Sequence, residues 1–143
     1  MKYELSIKGE SGTIRIADNE DALIKRVKFD IYQKDKLAND RSEQLFNSVR
    51  IEGVLNEKTA DSAKEILEWS KKTEREEIYR TVSIQVKSGG KLIRDYYLKD
   101  MFCVSYEEIF DEYDVKSKGE EMVGTFILEM KQRNGSINTI VIE

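Results

Sequence analysis

Apolar residues return at every second position along most of this chain, and a two-residue period is the signature of half-buried strands. Tyr3, Leu5 and Ile7 alternate with Lys2, Glu4, Ser6 and Lys8; a turn over residues 9–12 then leads to Ile14 and Ile16. This predicts a hairpin over residues 2–17. In "LIKRVKFDIYQK", Val27, Phe29 and Ile31 share one face, and Lys28, Asp30 and Tyr32 the other. A fourth strand reads from "NSVRIEGVL", where Val49 and Ile51 alternate with Arg50 and Glu52. Proline is absent, so no residue deprives a ladder of its N–H.

The second half continues in the same way. Ile78, Val82, Ile84 and Val86 lead into Ser88-Gly89-Gly90-Lys91, a hairpin turn whose glycines accept positive φ. "LIRDYYL" returns, and Lys99-Asp100 reads as a turn into "MFCVSYEEIF". There, strict alternation sends Phe102, Val104 and Tyr106 one way and Met101, Cys103 and Ser105 the other. Met122, Gly124, Phe126, Leu128 and Met130 share a face of the next strand, and Asn134-Gly135 signals a tight turn into a last strand, "SINTIVIE".

One segment departs from the period. Over residues 59–71, Ala63, Ile66, Leu67 and Ser70 recur at helical spacing, with Trp69 at the margin of that face. Thr59 or Asp61 suits the helix start, and Lys71 and Lys72 suit the negative end of its dipole. The charged run "KKTEREE" after it reads as a solvated helix end, with a charged contact surface as the sharper alternative. About eight strands and one helix predict a mainly β (α+β) fold: an antiparallel barrel or sandwich with the helix on its side, as one domain over residues 1–143.

Composition removes whole classes of function. The 143 residues contain no histidine and one cysteine, so the commonest general base, multi-cysteine metal sites and an internal disulfide are all missing. A net charge of −4, with basic residues scattered among acids, disfavours nucleic acid as a partner. No apolar run approaches the roughly 20 residues of a membrane helix, and the start of the chain lacks the continuous apolar core of a signal peptide. The cytoplasm is the expected compartment.

The densest cluster of chemistry-bearing residues is "IRDYYLKDMFCVSYEEIFDEYD", residues 93–114. Glu107, Glu108, Asp111, Glu112 and Asp114 evoke a cation site, but their spacing matches no EF-hand loop, and a strand puts Glu107 and Glu108 on opposite faces. No pair of carboxylates is singled out for glycoside hydrolysis. Cys103, between Phe102 and Val104, reads as a core thiol with no histidine to activate it. Tyr96, Tyr97, Tyr106 and Tyr113 suit strands and interfaces as well as stacking on a ligand. No catalytic residue, metal site or cofactor is expected, and no enzymatic activity.

The order of parts carries a resemblance. A strand pair, a long third strand, a polar loop, a fourth strand, a helix ending in "ILEWSKK", a long hairpin, "LKDMFCVSYEEIFDE" and a final apolar-alternating strand resemble the tube proteins of contractile injection systems. These are the haemolysin-coregulated (Hcp) subunits of type VI secretion and related phage tail tubes, most of all their divergent Bacteroidetes-like members. Glu68-Trp69, the segment Lys99 to Asp111 and the strand Thr125 to Leu128 carry the likeness.

The resemblance implies a β-barrel subunit joining through its strand edges into six-membered rings, stacked around a lumen as a conduit or carrier for effectors or DNA. Sheath and spike proteins would be its partners, with export or release as part of a particle. The polar loop over residues 34–45 and the charged loop over 111–121 are then the expected contacts between copies, through Lys34, Asp35, Asn39, Asp40, Arg41, Asp111, Glu112, Asp114 and Lys116. Charge reversal at Asp40 and Arg41 is expected to weaken stacking. The competing reading is a monomeric β-barrel that binds a small ligand in an apolar interior.

Overall fold

A computed structural model describes residues 1–33, 45–110 and 124–133. Seven strands form one antiparallel sheet: β1 (Lys2–Gly9), β2 (Gly12–Ala17), β3 (Ile24–Gln33), β4 (Leu45–Leu55), β5 (Arg80–Ser88), β6 (Lys91–Ile109) and β7 (Gly124–Gln132). The order across the sheet is β2-β1-β5-β6-β7-β4-β3, and it does not close into a barrel among the described residues. Two helices, α1 (Ala60–Ser70) and the short α2 (Arg75–Ile78), lie between β4 and β5. Ile78, read from the sequence as the start of a strand, is the last residue of α2. The eighth strand and the turn at Asn134-Gly135 fall outside the described residues.

Alternation within each strand becomes continuous apolar rows across the sheet. One row runs Ile16, Leu5, Ile84, Tyr96, and the next Ile14, Ile7, Val82, Leu98. In the other half, Phe29, Val49, Met130 and Cys103 form a row, followed by Val27, Ile51, Leu128 and Tyr106. These rows, with Phe126 and three helix residues, make one contiguous core. The sheet curls enough for the Phe29 ring on edge strand β3 to meet Tyr96 on β6 at 4.5 Å between centroids.

The 19-residue strand β6 joins the two halves. Its first part pairs with β5 and its second with β7, the two ladders meeting at Met101. Its core-side residues are Tyr96, Leu98, Met101, Cys103 and Tyr106. Strict alternation would not give this set; two bulges do, one beside Asp100 and one at Val104. Asp100 takes φ 58°, the left-handed conformation such a bulge demands. The turn expected at Lys99-Asp100 is therefore a bulge within one strand. Tyr106, expected beside Phe102 and Val104, instead shares the core side with Met101 and Cys103. At the other end of the strand, Gly89 and Gly90 do form the expected turn, with φ 58° and 78°.

Helix α1 turns Ala63, Ile66 and Trp69 into the core and leaves Leu67 exposed. Trp69 is thus central to the buried face rather than marginal, and its indole N–H donates to the Ile78 carbonyl at 3.0 Å. Thr59 stands at the N-cap position, but its hydroxyl does not bond the free helix amides. It donates to the Val54 carbonyl at 2.6 Å and accepts from the Asn56 amide at 3.0 Å, which fixes the β4–α1 corner. Helix α1 packs against β6 and β2, and Ser62 donates to the Arg15 carbonyl of β2 at 2.9 Å. One edge strand is thereby tied to a helix. The other, β3, has no partner on its outer side among the described residues.

Asp18 sets where β3 begins. One carboxylate oxygen accepts from the amides of Leu23 and Ile24 at 2.8 and 3.0 Å, and the other from Tyr3 at 3.1 Å. A buried carboxylate needs several donors, and these three anchor the β2–β3 connection to β1.

Candidate assembly surface

The nine residues expected to contact neighbouring copies, Lys34, Asp35, Asn39, Asp40, Arg41, Asp111, Glu112, Asp114 and Lys116, all lie outside the described residues. What the structure does place is β6, the strand that ends just before residue 111. Among the described residues, six large apolar side chains are exposed on β6 or just after it: Leu92, Ile93, Tyr97, Val104, Ile109 and Phe110. Only Met1, Ile31 and Leu67 are comparably exposed elsewhere. They are spread along a 19-residue strand, which makes β6 the candidate contact strand.

The face of β3, β4 and β7 turned away from the core is a lattice of opposite charges. Arg50 reaches Glu129 at 2.9 Å and Glu52 at 3.7 Å, Arg26 lies 3.9 Å from Glu52, and Lys28 is 3.8 Å from Asp30. Lys131 sits over the Tyr32 ring, 5.6 Å from its centroid. Exposed pairs of this kind add little stability individually. Together they balance much of the charge of this face among the described residues.

A second ionic group is buried and structural. Arg80, 5% exposed at its side chain, pairs with Glu77 at 3.1 Å, donates to Ser11 at 3.4 Å and stacks over Trp69 at 5.4 Å. Ser11 in turn donates to Glu77 at 3.1 Å. The group clamps the β1–β2 turn to α2, so part of "KKTEREE" is packed rather than solvated. The sequence signal was available: an arginine at the first core-facing position of a strand needs an acid, and Glu77 stands three residues before it.

Cys103 packs against the core, and burial pushes its thiol up to about 11, despite a hydrogen bond with the Ser105 backbone that acts the other way. It stays protonated at neutral pH and is a poor nucleophile. Burial also raises the Tyr106 phenol, reinforced by the charge of Glu108 and by the hydrogen bond it donates to that carboxylate at 3.2 Å. Of the carboxylates considered for a cation, only Glu107 and Glu108 are described, and no group of three or more metal-ligating side chains occurs among the described residues. Likewise, no helix among them is long and apolar enough to cross a membrane.

No protein-family model matches this chain, and no curated protein matches it. Solved structures do. The chain is similar to Hcp1 from Flavobacterium johnsoniae, at 14% identity over 99% of this chain and 94% of that one, with a TM-score of 0.56. It is similar to a second Hcp protein, at 14% identity over 99% and 96% of the two chains, with a TM-score of 0.58. A third match is to a chain of the six-fold symmetrised baseplate of the anti-feeding prophage, at 13% identity over 99% and 92%, with a TM-score of 0.51. The chain has an Hcp-like fold.

Proposed function

We propose that this chain is a structural subunit that assembles into rings, and that stacked rings form the inner tube of a contractile injection apparatus. The Hcp-like fold over 99% of the chain is the observation that carries this reading. The exposed apolar residues of β6 support it, because burying them against another copy removes them from water. The apolar interior is filled by packed side chains such as Phe126, Leu98 and Met130, which weighs against a small ligand held inside a monomer.

In this reading the loops over residues 34–45 and 111–121 touch neighbouring copies or rings, sheath and spike proteins surround and cap the tube, and effectors or DNA travel in its lumen. Negative-stain electron microscopy of concentrated protein tests the reading. Rings or stacks with a central hole are expected; a field of separate small particles at every concentration overturns it.

A further inference from the structure

The β5–β6 hairpin ends in an exposed tip. Every residue from Lys87 to Arg94 is exposed, Leu92 and Ile93 at 43% and 44%, and Gly89 and Gly90 make the turn. Lys87 stands directly opposite Lys2 in the β1–β5 ladder, with Lys91 and Arg94 on the returning strand. Like charges set opposite each other are unfavourable. Yet none of these four cations forms an ion pair among the described residues, in contrast to the cations on the face of β3, β4 and β7.

The far end of β6 has the converse chemistry. Glu107, Glu108, Ile109 and Phe110 are all exposed, the last two at 44% and 65%. Neither glutamate forms an ion pair among the described residues; Glu108 accepts from the uncharged Tyr106 hydroxyl. The sequence that follows adds to this charge: residues 111–121 hold five acids, Asp111, Glu112, Asp114, Glu120 and Glu121, against Lys116 and Lys118. One strand thus has a cationic, apolar end and an anionic, apolar end. As opposite ends of a 19-residue strand they cannot meet within one copy, but they can between copies.

We propose that the β5–β6 tip docks on the acidic end of β6 of a second copy, with Lys91 and Arg94 against Glu107 and Glu108 and with Leu92 and Ile93 packed on Ile109 and Phe110. Opposite potentials select this contact, and burial of the apolar groups holds it. Its two patches differ, so it runs head to tail, the kind of contact that closes into a ring or continues as a stack. The inference rests on the tube reading and names a contact within it.

The test is the mass in solution, over a range of concentrations, of the wild type, a tip variant (Lys91→Glu with Arg94→Glu), an end variant (Glu107→Lys with Glu108→Lys) and an equimolar mixture of the two variants, with circular dichroism confirming each fold. Each variant alone sets like charges across every such contact, and is expected to raise the concentration needed for assembly about ten-fold or more. In the mixture the reversed tip meets the reversed end and the native tip the native end, so assembly is expected to return with the two variants alternating. A wild type that assembles, with variants that assemble equally well, overturns this contact and leaves the tube reading standing. So does a mixture no better than the variants alone. A wild type that stays monomeric at every concentration overturns both.

Discussion

The Phe126 ring lies directly against the α-carbon of Gly53 on the neighbouring strand, where a β-carbon would overlap the ring and stand 3.1 Å from the Leu23 carbonyl oxygen. The glycine is what lets the largest fully buried side chain reach the core between β4 and β7. Gly53→Ala is expected to cost about 3 kcal/mol, the upper range for overpacking. In the Phe126→Leu background the cost is expected to fall by at least a third. Urea unfolding of the four proteins of this cycle checks it, and strict additivity would separate the two residues.

Glu77 and Arg80 form the most buried ion pair among the described residues. Removing the carboxylate strands a guanidinium that is almost wholly enclosed, so Glu77→Ala is expected to destabilise by about 3 kcal/mol. Pairing it with Arg80→Met, which removes the orphaned charge, is expected to recover part of that loss. Thermal unfolding at neutral pH measures both.

Asp100 holds φ 58° at the bulge where β6 passes from one ladder to the other. The side-chain cost of that conformation is least for glycine and greatest for a β-branched residue. Asp100→Val is expected to be less stable than Asp100→Gly by about 1–2 kcal/mol. Equal midpoints in urea would show that the bulge relaxes away.

Burial raises the Cys103 thiol from its ordinary 9.0 to about 11. The folded state therefore keeps its proton where the unfolded chain has begun to lose it. The stability this group contributes is full below pH 9 and falls as the pH rises from about 9 to 11. Cys103→Val is expected to flatten that part of the stability curve while leaving its neutral region nearly level. Chemical unfolding at a series of alkaline pH values reads the difference.

Much of the fold is legible in the two-residue period. The hairpin of residues 2–17, the faces of Val27, Phe29, Val49 and Ile51, and the glycine turn at 88–91 all emerge from local pattern and turn chemistry. What the period cannot show is a bulge, because one extra residue moves every later side chain to the other face. Strict alternation puts Tyr106 on the wrong side for that reason, and Lys99-Asp100 reads as a turn because polar residues interrupting a strand look alike in either case. Helical periodicity leaves Trp69 at the margin because its indole N–H finds a partner nine residues away, beyond the reach of that pattern. The unequal shielding of the two edges was also invisible, since it depends on where α1 packs.

We propose that this chain builds rings. The native mass spectrum of the concentrated wild-type protein is its most direct test. A closed ring of six copies is the expected species, alone or in stacked multiples. A spectrum containing only one- and two-copy species, unchanged as concentration rises, would contradict the tube reading.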